Sequence, residues 1–516
     1  MKNRSRTEYT VINTTVGIGG YILNTILGFV CRVVFTQCLS ADYLGVNGLF
    51  TNILAMLSFA ELGVGSAVVF ALYKPLAEND EAKVASLVKF YSKAYRLIGG
   101  VVAAAGLVML PFLNLIITEQ PNIHENIYVL YLINLFNTAS TYFFSYRTSL
   151  VIAAQRNYIV SAVNYAVTIV QSGIQIVLLL ITRNYIAYLL VQTVGVFINN
   201  AIVYVLAGRI FPYIRKKNIL PLLKEEKSSI FQNTRDLLIY KISGLLVNNT
   251  DNILITFFSG LVSTGIVSNY TMLVTTLGSL MNLLFNGLTA SVGNHNALET
   301  KQKKYEMFSF LNMMNFWVFG WGALGILYCS SDIVKLFFGN EYVMPMSIPL
   351  VMAVNFFSVG MMNAVWTYKH TMGLFHYGRF MQIGTAILNI VFSIVLGNLL
   401  GVFGILAATF VARLFTSLWY DPYAVFVHGF EKSPWLYVRK IANYMVILLI
   451  AAALCQLAFT VVRGPLIVQV LLKILLCSVV TNVVFALILF RSPEFQKLRD
   501  SAQYIFAKLF RRKQKV

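Results

Sequence analysis

Runs of about twenty apolar residues, separated by short polar stretches, recur along this chain from one end to the other. Wound as a helix, a run of that length crosses the ~30 Å hydrocarbon core of a bilayer. Fourteen segments qualify: 10–37, 45–73, 94–118, 128–153, 159–182, 185–208, 236–258, 263–290, 308–329, 347–368, 380–399, 401–426, 441–462 and 466–490. An even number places both ends of the chain on the same side.

Several segments carry a second, polar periodicity. In the second, Asn47, Thr51, Ser58, Glu61 and Gly65 recur at steps of three, four or seven and share one helical face. The first has Asn13, Gly17, Gly20, Asn24, Gly28 and Arg32 on one stripe, and the twelfth has Thr409, Arg413, Thr416 and Tyr420. The seventh has Gly244, Asn248, Asp251 and Asn252 on or beside one. Lipid rejects such faces, so they turn toward each other or toward water. Gly and Asn stripes also serve close helix contacts, and on that reading Glu61 simply neutralises Arg32 or Arg147.

Composition agrees with the pattern: 58% of the 516 residues are hydrophobic and 12% are charged, with a mean hydropathy of +0.71. A soluble protein carries about 25% charged residues, so this is an all-α polytopic membrane protein. Charge then orients it. Alternate connections hold Arg4 and Arg6, Lys83 to Arg96, Arg156, Arg209 to Arg235, Lys301 to Lys304, Lys369 and Arg379, Lys432 to Lys440 and the tail "RRKQKV", whereas the opposite ones offer only Arg183, Lys335 and Arg463. Positive loops stay cytoplasmic, which predicts a multi-pass membrane protein with both termini on the cytoplasmic side. The net charge of +20 is therefore a topology signal with attraction to anionic membrane lipids, and nucleic acid is not an expected partner.

The run after "MKNRSR" is too long for a cleaved signal and reads as an uncleaved insertion segment. Cys31, Cys38, Cys329, Cys455 and Cys477 have no metal-like spacing and read as packing residues. Between the second and third segments, "NDEAKVASLVKFYSKAY" (79–95) sets Val84, Leu87, Val88 and Tyr91 at helical spacing, which predicts an amphipathic helix lying on the cytoplasmic interface; 294–307 repeats the idea.

The longest outward connection, 330–346, is too short for a catalytic domain. No phosphate loop, H-E-x-x-H motif or paired-cysteine site occurs, so neither metal nor cofactor is expected and transport leads over enzymatic chemistry. An offset of 220 residues superposes Gly45 on Gly265, Lys83 on Lys303 and Ala153 on Gly373. It predicts two six-helix lobes, 1–215 and 216–430, then a helix pair, 431–492, and a basic tail, 493–516.

Ionisable side chains at mid-membrane depth cost about 2.5–3.5 kcal/mol each on insertion scales and so need a partner or water. Glu61, Asp251 and Arg413 fall near the midplane, Arg32 outward of it, Arg147 and Lys241 toward the cytoplasm. Cations outnumber the acids, which predicts an anionic passenger. Guanidinium forks suit phosphate oxygens, and Trp366 with Asn, Thr and Tyr suits sugars. A saccharide carried on a lipid diphosphate fits both. Lys473 reads instead as a packing or headgroup residue.

The stretch "RVVFTQCLSADYLGVNGLFTNILAMLSFAELGVGSAVVFALYKPLAENDEAKVASLVKFYSKAYRLIG" (32–99) resembles the N-terminal signature of bacterial polysaccharide-transport flippases. These are the Wzx-type capsule and O-antigen repeat-unit branch of the multidrug/oligosaccharidyl-lipid/polysaccharide (MOP) exporter superfamily. The likeness is most specific from Leu44 to Tyr91. It implies a V-shaped pair of lobes, alternating access and movement of a polyprenyl-diphosphate-linked oligosaccharide from inner to outer leaflet, with polysaccharide polymerase and glycosyltransferases as partners. A cationic cavity of Arg32, Arg147 and Arg413 carries over from the family, with Glu61 in the signature. Lys241, Trp366 and Asp251 are added from their position, and Glu61 and Asp251 are candidates for coupling to a proton or sodium gradient. A multidrug cation antiporter and a peptidoglycan lipid-precursor flippase share the same implied fold. A membrane-embedded polymerase would instead require a large outer loop.

Overall fold

The computed structural model describes residues 6–61, 64–117, 121–216, 221–222, 249–282, 285, 292, 299–374, 377–500 and 503. Among them the regular structure is helical throughout, and the chain divides into two compact units, Met1–Gly265 and Ile266–Val516.

Unit 1 begins with α1 (Arg6–Cys38), which packs along α6 (Asn157–Thr182). Part of the first polar stripe is spent on this contact. A Cβ on Gly20 would run into the Tyr165 ring, and the Tyr165 hydroxyl donates to the Gly17 carbonyl at 3.2 Å. Asn13 donates to the Gln155 carbonyl at 2.9 Å and accepts from the Tyr158 amide at 2.7 Å.

The second predicted segment is not one straight helix. It runs as α2 (Ala41–Leu57), a 3₁₀ turn over Ser58–Glu61, and α3 (Val64–Ala77). Ser58 Oγ back-bonds to the Leu54 carbonyl at 2.7 Å, the local competition that loosens a helix at serine. The break sets Glu61 at the end of a tightened turn.

The stretch 79–95 also departs from expectation. It is the first part of one long helix, α4 (Glu81–Met109), capped by the Asp80 carboxylate accepting from the Lys83 amide at 2.9 Å. Val84, Leu87, Val88 and Tyr91 are buried with Val68, Tyr146 and Phe211 in a single apolar cluster. Its amphipathic pattern therefore reports packing on neighbouring helices, not an interfacial position. Near Pro111 the chain bends by 40° into a tail, Leu110–Ile116. Next come α5 (Ile127–Ala153), then α6, then α7 (Tyr185–Ile210), with Asn126 and Asn184 accepting amide hydrogens at the starts of α5 and α7.

Two sharp reversals hide inside long helical stretches. In α8 (Asn249–Asn282) Gly260 has φ 81°, and the Thr256 and Thr264 hydroxyls are 2.8 Å apart. A straight helix would separate residues eight apart by about 12 Å, so the chain doubles back there. In α11 (Arg379–Leu414) Gly401 has φ 59°, and cross-links Asn389–Thr409 (3.0 Å) and Thr385–Thr416 (2.7 Å) show a second antiparallel pair. With these reversals, each of the fourteen sequence segments has a helical counterpart, the seventh described only from Asn249 onward.

In unit 2, α9 (Lys301–Phe338) continues through the first half of the stretch read as an outward loop and stops at Gly339, whose φ of 109° ends it. After α10 (Ser347–Thr371) and α11 come α12 (Ser417–Ala424), which continues as a π turn over Val425–Phe430, α13 (Trp435–Phe459) and α14 (Leu466–Leu489). Helices α13 and α14 are fastened to α9. Phe316 stacks on Tyr444 at 4.4 Å, Trp317 Nε1 donates to Asn482 Oδ1 at 2.7 Å, and Trp321 Nε1 donates to Ser478 Oγ at 3.1 Å. Lys473, expected to pack or meet headgroups, is ion-paired with Asp332 at 2.5 Å. All five cysteines are free thiols.

Candidate functional site

Unit 1 holds an open cavity of 870 Å³ beside the break in the second segment. Its polar wall is Ser58 and Glu61 from the 3₁₀ turn, Tyr95 from α4, Ser145, Thr148 and Ser149 from α5, and Asn200 from α7. Glu61 is half-buried there. Tyr142 hydrogen-bonds both Ser58 and Glu61, and Tyr95, which bonds Ser149, feels the Glu61 charge. A carboxylate in an apolar helix thus faces a polar-walled cavity on one side and phenol donors on the other, an arrangement able to hold a proton or a cation.

Arg147, expected in a cavity, does not line this one. It is 8% exposed and turned onto α7, where Nη1 donates to the Tyr204 carbonyl at 3.0 Å and the guanidinium lies 3.5 Å from the Tyr204 ring centroid. Arg32 is half-buried on α1 and acts electrostatically on Tyr185 and Tyr188 at the start of α7. Asp251 is half-buried on α8. Lys241 lies outside the described residues.

Unit 2 holds a buried charge pair that the sequence reading missed. Lys369 Nζ is 2.5 Å from Asp421 Oδ1, with Lys369 8% and Asp421 0% exposed. Trp366 Nε1 donates to the other carboxylate oxygen at 3.0 Å, so this predicted sugar-stacking residue is joined to an ion pair. The signal was present: "WTYKH" near the end of one apolar run and "WYDPY" near the end of another placed a cation and an acid at matching ends. Arg413 is half-buried on α11, one turn from Thr409 and from Thr416 of the cross-linked ladder.

Unit 2 also contains an apolar cavity of 570 Å³. Five helices line it, through Leu324 of α9, Met361 of α10, Leu414 of α11, Trp419 of α12 and Met445 of α13 among others. Leu414 and Trp419 are about half exposed at its margin.

A bundle of apolar helices with doubled-back hairpins, a polar cavity in one unit and an apolar one in the other defines a polytopic helical membrane protein. The fold is similar to that of several solved membrane proteins described as flippases and transporters. They include a lipid II flippase MurJ in an inward closed conformation (TM-score 0.66, 16% identity, 92% of this chain and 99% of that one). An inward-facing multidrug resistance MATE family transporter of the MOP superfamily matches at TM-score 0.53 and 12% identity, over 82% of this chain and 95% of that one. A mutant form of the Vibrio cholerae MATE transporter VcmN matches at TM-score 0.51 and 11% identity, over 84% of this chain and 100% of that one. A search of curated proteins finds no match. The model of the polysaccharide biosynthesis protein family matches residues 11–288, more than half of the chain, and the protein belongs to that family.

Proposed function

We propose that the protein is a flippase for a polyprenyl-diphosphate-linked oligosaccharide, moved from the inner to the outer leaflet of the bacterial cytoplasmic membrane by alternating access. The observation that carries the reading is the apolar cavity of unit 2, partly open and lined from α9, α10, α11, α12 and α13. A free sugar or a nucleotide has no use for such a groove, and a prenyl chain does. Membership of the polysaccharide biosynthesis protein family supports a saccharide as the other half of the substrate. Arg32 and Arg413 are assigned to the diphosphate, since fork-shaped donors in otherwise apolar helices suit its oxygens. Glu61, which lines the polar cavity of unit 1, is assigned to coupling with an ion gradient.

Photo-crosslinking tests the reading. A polyprenyl-diphosphate oligosaccharide bearing a diazirine on its prenyl tail is expected to label peptides of α10 and α13, and an unlabelled competitor is expected to remove that signal. Labelling spread evenly over lipid-facing helices and insensitive to competitor overturns the tail assignment.

A further inference from the structure

Two arginines converge on the bare backbone of Gly208. A Cβ built on that glycine would lie 2.8 Å from Arg147 Nη1, 2.5 Å from Arg215 Nη2 and 2.6 Å from Arg215 Nε. Two like charges thus border one point in the last turn of α7. The helix C-terminus attracts cations and accounts for part of this: the Tyr204 carbonyl accepts from Arg147. It does not account for the rest. A guanidinium has five donor hydrogens, and the buried Nε of Arg147 has no hydrogen-bond partner.

The surroundings add positive charge. Arg96 acts electrostatically on Tyr204, and Arg156 sits 5.8 Å from the Phe211 ring centroid. Among the described residues the exposed Glu81 acts on this end of the unit through Tyr213. Among the described residues no carboxylate pairs with Arg147 or Arg215. Unit 2 handles the comparable problem internally. Under the 220-residue offset Arg147 falls beside Trp366 and Lys369, and there the buried cation has Asp421 at 2.5 Å. Unit 1 has a tyrosine ring and a glycine in place of the acid.

We propose that Arg147 and Arg215, with Arg96 beside them, form a binding site for the phosphoryl group of an anionic phospholipid. Depth fits a headgroup: Arg147 lies six residues before the end of α5, about 9 Å along the helix, and Gly208 two residues before the end of α7. The Lys/Arg distribution predicts this end to be cytoplasmic. Leu97, Val101 and Val205, next to the cluster on α4 and α7, are 70%, 49% and 42% exposed and offer acyl chains a surface. The missing Cβ of Gly208 lets the two guanidiniums close on the same point of the helix, where one phosphoryl group can reach the outward N–H donors of both, and the site needs no transported substrate.

The test uses the full chain in uncharged detergent, with phosphatidylglycerol and phosphatidylethanolamine of identical acyl chains as probes and retained lipid read by native mass spectrometry. The native protein is expected to hold phosphatidylglycerol at least about tenfold more tightly, because both lipids carry the phosphodiester but the ammonium of phosphatidylethanolamine cancels its charge and is repelled by the arginines. Arg215→Gln, an exposed change, is expected to abolish that preference. So is Gly208→Val, which keeps every charge but pushes the two guanidiniums apart; the lipid-free melting temperature of Arg215→Gln is expected to stay native. If inorganic phosphate at millimolar concentration displaces the lipid and stabilises the protein equally, the phosphoryl site stands and its occupant is soluble. Equal binding of the two lipids by the native protein, or an undiminished preference in both variants, overturns the proposal. Neither result bears on whether the protein flips saccharide lipids.

Discussion

Gly45 on α2 and Gly265 on α8 meet backbone to backbone: the Cβ that Gly265 lacks would lie 2.9 Å from the Gly45 amide nitrogen and closer still to the Ala41 carbonyl oxygen. The Cβ that Gly45 lacks would run into the Leu261 carbonyl, 2.7 Å from its carbon. Residues 41 and 261, like 45 and 265, are separated by the 220-residue offset found in the sequence, so each glycine presses on the counterpart of the other's neighbour. Small residues on both helices are what let these backbones close on each other.

Substitution at this contact must move backbone. Gly45→Ala is expected to destabilise the protein by about 1–3 kcal/mol, the range for overpacking. Gly48→Ala is the control, since its nearest neighbour would be Thr264 Cγ2 at 3.8 Å, and it is expected to be near neutral. Thermal melting in detergent compares the two.

Removing one partner of the Lys369–Asp421 pair strands a buried charge. Asp421→Asn is expected to cost about 3–5 kcal/mol, and the apolar double change K369M/D421L is expected to recover most of it. Recovery separates a structural pair from one that must ionise for transport: if the double variant melts like the native protein yet does not transport, the charges have a working role.

Glu61→Gln keeps the shape of the cavity and a hydrogen-bonding partner for Tyr142 while removing the charge. It is expected to leave the melting temperature unchanged and to cut the dependence of transport on an ion gradient by about 5- to 150-fold, the usual span of coupling energies. Comparing flux with and without an imposed pH or sodium gradient checks this.

Helices α13 and α14 are held on α9 by polar links as well as rings. Asn482→Leu leaves Trp317 Nε1 without its acceptor and is expected to cost about 1–3 kcal/mol, the penalty of an unsatisfied buried donor. Melting of the variant, followed by tryptophan fluorescence, checks the direction and size.

Much of the fold was legible because apolar run length is set by bilayer thickness, a constraint independent of tertiary contacts. Even the reversals at Gly260 and Gly401 fell where the hydropathy pattern dipped. The break after Leu57 was not legible, since an apolar run looks the same whether its helix is straight or tightened into a 3₁₀ turn. Periodicity found the polar faces but not their neighbours. It could not tell that Asn13, Gly17 and Gly20 are spent on α6 while Ser58 and Glu61 face a cavity. Nor could it pair Lys369 with Asp421, because helical phase says nothing about which helices adjoin.

The most direct test of the central claim is translocation itself. A fluorescent polyprenyl-diphosphate oligosaccharide is placed in proteoliposomes, and a membrane-impermeant quencher reads its movement between leaflets. The account predicts flipping by the native protein, loss of it in Arg32→Ala and Arg413→Ala variants that melt normally, and no comparable flux of a lipophilic cation. Folded native protein that leaves several such lipids unflipped, while exchanging the cation for protons, would contradict it.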